Sequence, residues 1–160
     1  MPYPMTYSDA CVALVKQFEG LYLTAYRCPA SVLTIGWGHT GMVREGQQIS
    51  EEQAEAFLQD DLGYVANTLV SILPTGTPIN QNQFDALCSL CFNLAGGPRA
   101  LPQKAPKLWG DLVSGTLRDA AVQFLDMDHA LVQGYWWTVL PGLHVRRLAE
   151  AALFDTPVLA

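Results

Sequence analysis

The segment from Phe18 to Thr40 constrains this chain more than any other. Phe18-Glu19-Gly20 places a carboxylate at the end of a predicted helix. A short, glycine-punctuated β region follows, with Cys28 nine and Thr34 fifteen residues after Glu19. An acid on a helix end and its partners on a small sheet approach a shared point from different elements, which is how a cleft is built. Cys11, Leu14, Val15 and Phe18 recur at helical spacing, so residues 8–18 read as a helix. Thr6 or Ser8 is available to cap its start and Gly20 to stop it. The negative end of the helix dipole then disfavours the ionised form of Glu19, which suits a proton donor. A solvated glutamate at a helix end is the plain alternative.

Residues 20–49 read as a small β region. Tyr22–Tyr26 forms one strand, Val32–Trp37 a second, and Pro29-Ala30-Ser31 the turn between them. Val43–Ile49 offers a third strand. Gly36 and Gly38 alternate with Trp37 and His39, and glycine inside a strand marks a close approach by another element or a ligand. Ser50-Glu51-Glu52-Gln53 is a capping box opening a helix to about Ile72, long enough to join a β lobe to a helical one. Asn80-Gln81-Asn82-Gln83 opens another, whose apolar positions through Leu94 mark it as central and buried. Ala95-Gly96-Gly97-Pro98 ends it, and prolines 102 and 106 make residues 99–107 read as irregular. Helices are expected from about Lys107 to Val113, from Thr116 to Leu125, and from Leu143 to Phe154.

With 160 residues, 50% hydrophobic and 15% charged, the chain suits one globular domain with a real core. A net charge of −6 argues against nucleic acid as the main partner. The N-terminus does not read as a secretory signal, and no stretch reads as a membrane span. The expectation is synthesis in a cytoplasm. Free thiols are then the default for Cys11, Cys28, Cys88 and Cys91, with a pairing of Cys11 to Cys88 or Cys91 left open. Cys88-x-x-Cys91 has no second pair or nearby histidine to complete a zinc site, so neither metal nor cofactor is expected.

Three motifs in order resemble the bacteriophage-type lysozymes, the endolysin muramidases of glycoside hydrolase family 24. Glu19, eight residues, Cys28, five residues, Thr34 is similar to that family's catalytic signature. Gln83-Phe84-Asp85-Ala86-Leu87 with Phe92-Asn93 resembles its central helix, and Gly142-Leu143, Arg146-Arg147 and Ala149-Glu150 its C-terminal signature. The resemblance implies an α+β fold: a β lobe at about 20–49, a linking helix at about 50–72, and a helical lobe at about 78–160 plus the N-terminal helix, with the cleft between lobes. It implies hydrolysis of the β-1,4 bond between N-acetylmuramic acid and N-acetylglucosamine in peptidoglycan by a monomer. It further implies delivery to the periplasm by a holin or another export route. The same enzyme used as a secreted or virion-associated antibacterial muramidase is one alternative. A non-catalytic peptidoglycan-binding module is another, separable by whether cells are cleared or sacculi merely bound.

Glycoside cleavage needs a proton on the leaving oxygen and a handled nucleophile on the other ring face. The resemblance assigns the first to Glu19 and the second to Cys28 and Thr34. A free thiol near its reference value of about 8.5 is mostly neutral at pH 7, so Cys28 acts as a thiolate base, positions water, or attacks directly; water-mediated chemistry is favoured here. Arg27 is adjacent in a strand and points to the opposite face. By approximate alignment Thr40, Phe92 and Gln123 border the cleft, with Phe92 equally suited to the core. His39 reads first as an ion-paired structural histidine and second as a substrate contact. Arg146 or Arg147 pairs with Glu19, or both are surface charges. Trp136 and Trp137 stack on sugar or pack under a loop.

Overall fold

A computed structural model describes residues 5–132 and 136–158. The first helix, α1 (Asp9–Glu19), begins at Ser8, whose hydroxyl accepts from the Ala10 amide at 3.2 Å. It ends at Gly20, whose positive φ of 71° turns the chain away from the helix axis with no Cβ to object. Glu19 is therefore the last helical residue, where the spacing put it.

Strands β1 (Tyr22–Arg27) and β2 (Leu33–Gly36) pair antiparallel, with Tyr26 opposite Thr34 and Arg27 opposite Leu33. The turn between them is closed by the Cys28 amide on the Val32 carbonyl at 3.0 Å and the Ser31 amide on the Cys28 carbonyl at 2.7 Å. The expected third strand is reduced to a single bridge between Thr24 and Gln48. The Gln47 amide folds back onto the Arg44 carbonyl at 3.1 Å, and this turn leaves too few residues free to run alongside β1.

Helix α2 (Glu51–Ile72) carries both halves of its capping box: Ser50 accepts from the Gln53 amide, and Gln53 accepts from the Ser50 amide. It packs against β2 on one side and α3 (Gln81–Asn93) on the other. Asn80 and Gln83 make the same reciprocal cap for α3. Phe84 through Cys91 are buried without interruption, so α3 is the axis of the helical part.

Residues 98–107 are not irregular. A 3-10 turn at Pro98–Ala100 leads into α4 (Leu101–Lys104) and α5 (Pro106–Ser114). Each proline sits in a first turn, where the missing amide hydrogen costs no helical bond, so the prolines start these elements instead of breaking them. The segment expected as a helix near 116–125 is a run of 3-10 turns over Leu117–Met127. Beyond it lies a hairpin that periodicity did not suggest, β3 (His129–Val132) with β4 (Trp136–Val139). The last helix, α6 (Pro141–Asp155), again starts on a proline and packs against α3 and the 3-10 run. Leu62, Leu69, Phe84, Leu87, Leu90, Leu108 and Phe124 meet in one apolar core between these helices. The result is mostly helical with a small two-stranded sheet beside α2, an α+β arrangement as expected.

Candidate active site

Glu19 is a fifth exposed at its side chain, and two elements crowd it. From the loop after β2, Gly38 presses its backbone against the carboxylate. A Cβ built there meets Glu19 Oε2 at 2.8 Å, and the φ of +83° already disfavours any other residue. This is the close approach the glycine spacing indicated. From α6, Arg146 Nη1 donates to Glu19 Oε1. The same guanidinium stands 5.9 Å from the centre of the Phe18 ring, close enough for a cation–π contact.

Arg146 is 4% exposed and held from behind. Its Nε donates to Glu150 Oε1 at 3.1 Å and its Nη2 to the Ser89 carbonyl at 3.1 Å. Ser89 Oγ also donates to Glu150 Oε1, at 2.7 Å. Arg147 turns away from Glu19 and donates to Asn93 Oδ1 at 2.6 Å. Neither arginine is a surface charge. Sequence spacing could not choose between them because both sit on α6 and neighbouring helical positions point about 100° apart. Glu150 and Ser89 were missed; the i, i+4 spacing of Arg146 and Glu150 was the available signal.

Cys28 and Thr34 come together at the mouth of the β1–β2 hairpin. Cys28 is half-buried, and Thr34 is 4% exposed. The Val32 amide is the first cause that holds the Cys28 thiol below its ordinary value, and the Ala30 amide acts the same way. Thr34 Oγ1 donates to the Val32 carbonyl at 3.0 Å. Arg27 is engaged elsewhere, on Glu45 at 2.8 Å and the Ser31 carbonyl at 3.1 Å, consistent with its opposite face.

The remaining candidates separate. His39 is bound at both ring nitrogens, Nδ1 to Asp61 at 2.8 Å and Nε2 to the Gly41 carbonyl at 2.9 Å, and it stacks on Phe57 at 4.4 Å. It is a hydrogen-bonded strut between the β region and α2. Thr40 is exposed beside it. Phe92 is half-buried and packs on the core cluster. Gln123 is half-buried on the 3-10 run. The backbones of Trp136 and Trp137 lie in β4, and their side chains lie outside the described residues, as does all of Tyr135. Among the described residues no group of three or more His, Cys, Asp or Glu is placed to hold a metal, and all four cysteines are free thiols.

A family model described as phage lysozyme matches residues 16–150 of the chain, from the turn before Glu19 to Glu150. The chain belongs to the phage lysozyme family. An endolysin of Acyrthosiphon pisum secondary endosymbiont phage 1 is 41% identical over 95% of this chain and 99% of its own length. An endolysin of Bacillus phage B103 is 37% identical over 95% of this chain, which spans 55% of that longer protein. Among solved structures, the muramidase domain of SpmX from Asticaccaulis excentricus superposes with a TM-score of 0.82 at 38% identity, covering 95% of this chain and 99% of that one. The fold is lysozyme-like, and membership of this family makes the chain a glycoside hydrolase.

Proposed function

We infer that this chain is an endolysin muramidase that hydrolyses the β-1,4 bond between N-acetylmuramic acid and N-acetylglucosamine in bacterial peptidoglycan. The observation that carries this reading is the placement of Glu19: a partly exposed carboxylate on a helix end, packed by Gly38 and gripped by buried Arg146. Glu19 donates its proton to the glycosidic oxygen as the bond breaks. Arg146 and the Gly38 backbone fix the carboxyl so that the proton is delivered along one line, and they take part in recovering the charge left on it.

On the other ring face, water attacks the sugar carbon. Thr34 accepts a hydrogen bond from that water through its hydroxyl oxygen, and Cys28 as thiolate takes its proton. The amides of Val32 and Ala30 favour the thiolate, which lets a thiol stand where a carboxylate serves the same step. His39 keeps the loop carrying Gly38 and Thr40 against α2. Thr40, Phe92 and Gln123 border the bound glycan, and Arg147 supports the arginine beside it. The linking helix α2 joins the β lobe at about 20–49 to the helical lobe at about 78–160 plus α1. The enzyme works as a monomer on the wall in the periplasm, after synthesis in the host cytoplasm and release by a holin or another route. The endolysin relatives support that setting. No helix of the described residues is long and apolar enough to cross a membrane.

Digestion of purified sacculi followed by borohydride reduction and mass spectrometry tests the reaction. The expected products carry a reduced muramic acid end. Reduced glucosamine ends, anhydro ends or intact glycan would contradict it.

A further inference from the structure

Glu150 has no part in the chemistry above, yet it is the most completely buried carboxylate near the site, at 0% exposure. Its Oε1 accepts from Ser89 Oγ and from Arg146 Nε, the guanidinium that also grips Glu19. Its Oε2 stands 3.2 Å from Arg147 Nε, out of line for a hydrogen bond. Two carboxylates therefore draw on one guanidinium from opposite sides: Glu19 from the open face of the site, Glu150 from the core.

We propose that Glu150 is a positioning residue of this site: it fixes the Arg146 guanidinium and divides that charge between itself and Glu19, and so sets the pH above which Glu19 has lost the proton it donates. This rests on Glu19 being the acid. The groups that share the balance are all in view. Arg146 and Arg147 face Glu150 from its own helix, and Ser89 and Cys91 face it from α3. Glu19 is faced by Arg146 from α6 and by Tyr26 from β1, while Arg147, turned to Asn93, acts on it only as a more distant charge. Burial pushes the Glu150 carboxyl up from its ordinary value, and the two guanidiniums pull it back. Burial likewise pushes the Arg147 guanidinium down. Once Glu19 has given up its proton, four charges, two of each sign, compensate one another only as a set. Removing the charge of Glu150 leaves Arg146 wholly to Glu19, which favours the ionised acid.

The test is the pH profile of kcat/KM on permeabilised cells for wild type, Glu150→Gln, Glu150→Asp and Ser89→Ala, each checked for native circular dichroism, with Glu19→Gln alongside. The expected result is an alkaline limb displaced downward by about one pH unit in Glu150→Gln, the scale of one uncompensated neighbouring charge. Glu150→Asp keeps the charge and holds the limb near its wild-type place. Ser89→Ala, which strips one hydrogen bond from the Glu150 carboxylate, shifts it the same way by less. A uniform loss of rate with an unmoved limb would overturn the proposal. Should Glu150→Gln fail to fold, Ser89→Ala decides by the same criterion. An active Glu19→Gln would instead sink the assignment of the acid, a separate failure.

Discussion

A thiol stands at Cys28, and its surroundings decide whether it can act. The Val32 amide foremost, and then the Ala30 amide, favour the thiolate. The proton therefore leaves below the ordinary value of a cysteine thiol. Rapid alkylation of native protein by iodoacetamide is therefore expected at one thiol, with a pH midpoint below that value. Cys88 and Cys91 are pushed the other way by their surroundings and stay silent until the chain unfolds. Two fast thiols, or a midpoint above that of an ordinary cysteine thiol, would contradict this. Gly38 makes a second residue-scale prediction. Gly38→Ala drives a methyl to within 2.8 Å of Glu19 Oε2, so kcat should fall on the order of 100-fold through misplacement of the acid while Glu19 itself is unchanged. The helix end that carries Glu19 and the hairpin that brings Cys28 to Thr34 were legible in sequence because each is set by local spacing. The choice of Arg146 over Arg147, and the part of Glu150, were not. Both depend on how α6 rotates against α3, which no local spacing encodes.

At the scale of elements, Glu19 is placed by fastening α1 at both ends. Its C-terminal end meets Arg146. At its N-terminal end the buried carboxylate of Asp85 on α3 accepts from the Ser8 amide at 2.9 Å and the Ser8 hydroxyl at 2.5 Å, while Gln81 donates to it at 3.0 Å. Asp85→Ala leaves those donors without a partner in the core. Urea unfolding should show a loss of about 1.5–3 kcal/mol, the range for hydrogen bonds to charged groups. A loss within about 0.5 kcal/mol, the scale of an ordinary surface substitution, would mean that α1 is held by apolar packing alone. Caps were the most readable elements in the sequence. Ser8, Ser50 and Asn80 all cap as their residue types predict, because a cap is settled within four residues. Prolines 102 and 106 start helices where irregular chain was expected, because a proline's meaning depends on whether it stands in a first turn or further along. The β3–β4 hairpin was hidden by its short strands. Its start is fixed by Asp128, which stands between His129 at 2.5 Å and His144 of α6 at 2.6 Å, a contact made across sixteen residues of chain.

For the whole molecule, the acidic balance has a kinetic consequence. The chain carries a net charge of −6, and the peptidoglycan it acts on is anionic. Long-range repulsion then slows encounter at low salt and is screened as salt rises. Cell-wall digestion should speed up between about 0.01 M and about 0.15 M ionic strength, where the Debye length falls from about 30 Å to about 8 Å. A rate that falls over that range would show that a local basic surface at the site outweighs the total. The α+β architecture was legible from the order of a short β region, a long capped helix and a central buried helix. Each pattern is one-dimensional, and together they leave few arrangements open. How the β region and the helices sit against one another was not legible, because that geometry is set by contacts between residues far apart in sequence, such as Glu19 with Arg146 and His39 with Asp61.

The central claim is that Glu19 supplies the proton. Its most direct test is the clearing of outer-membrane-permeabilised Gram-negative cells by wild type, Glu19→Gln and Cys28→Ser at matched folded concentration. Wild type should clear the suspension, Glu19→Gln should leave it turbid while keeping a native circular dichroism spectrum, and Cys28→Ser should clear it slowly. Clearing by folded Glu19→Gln at the wild-type rate would contradict the account.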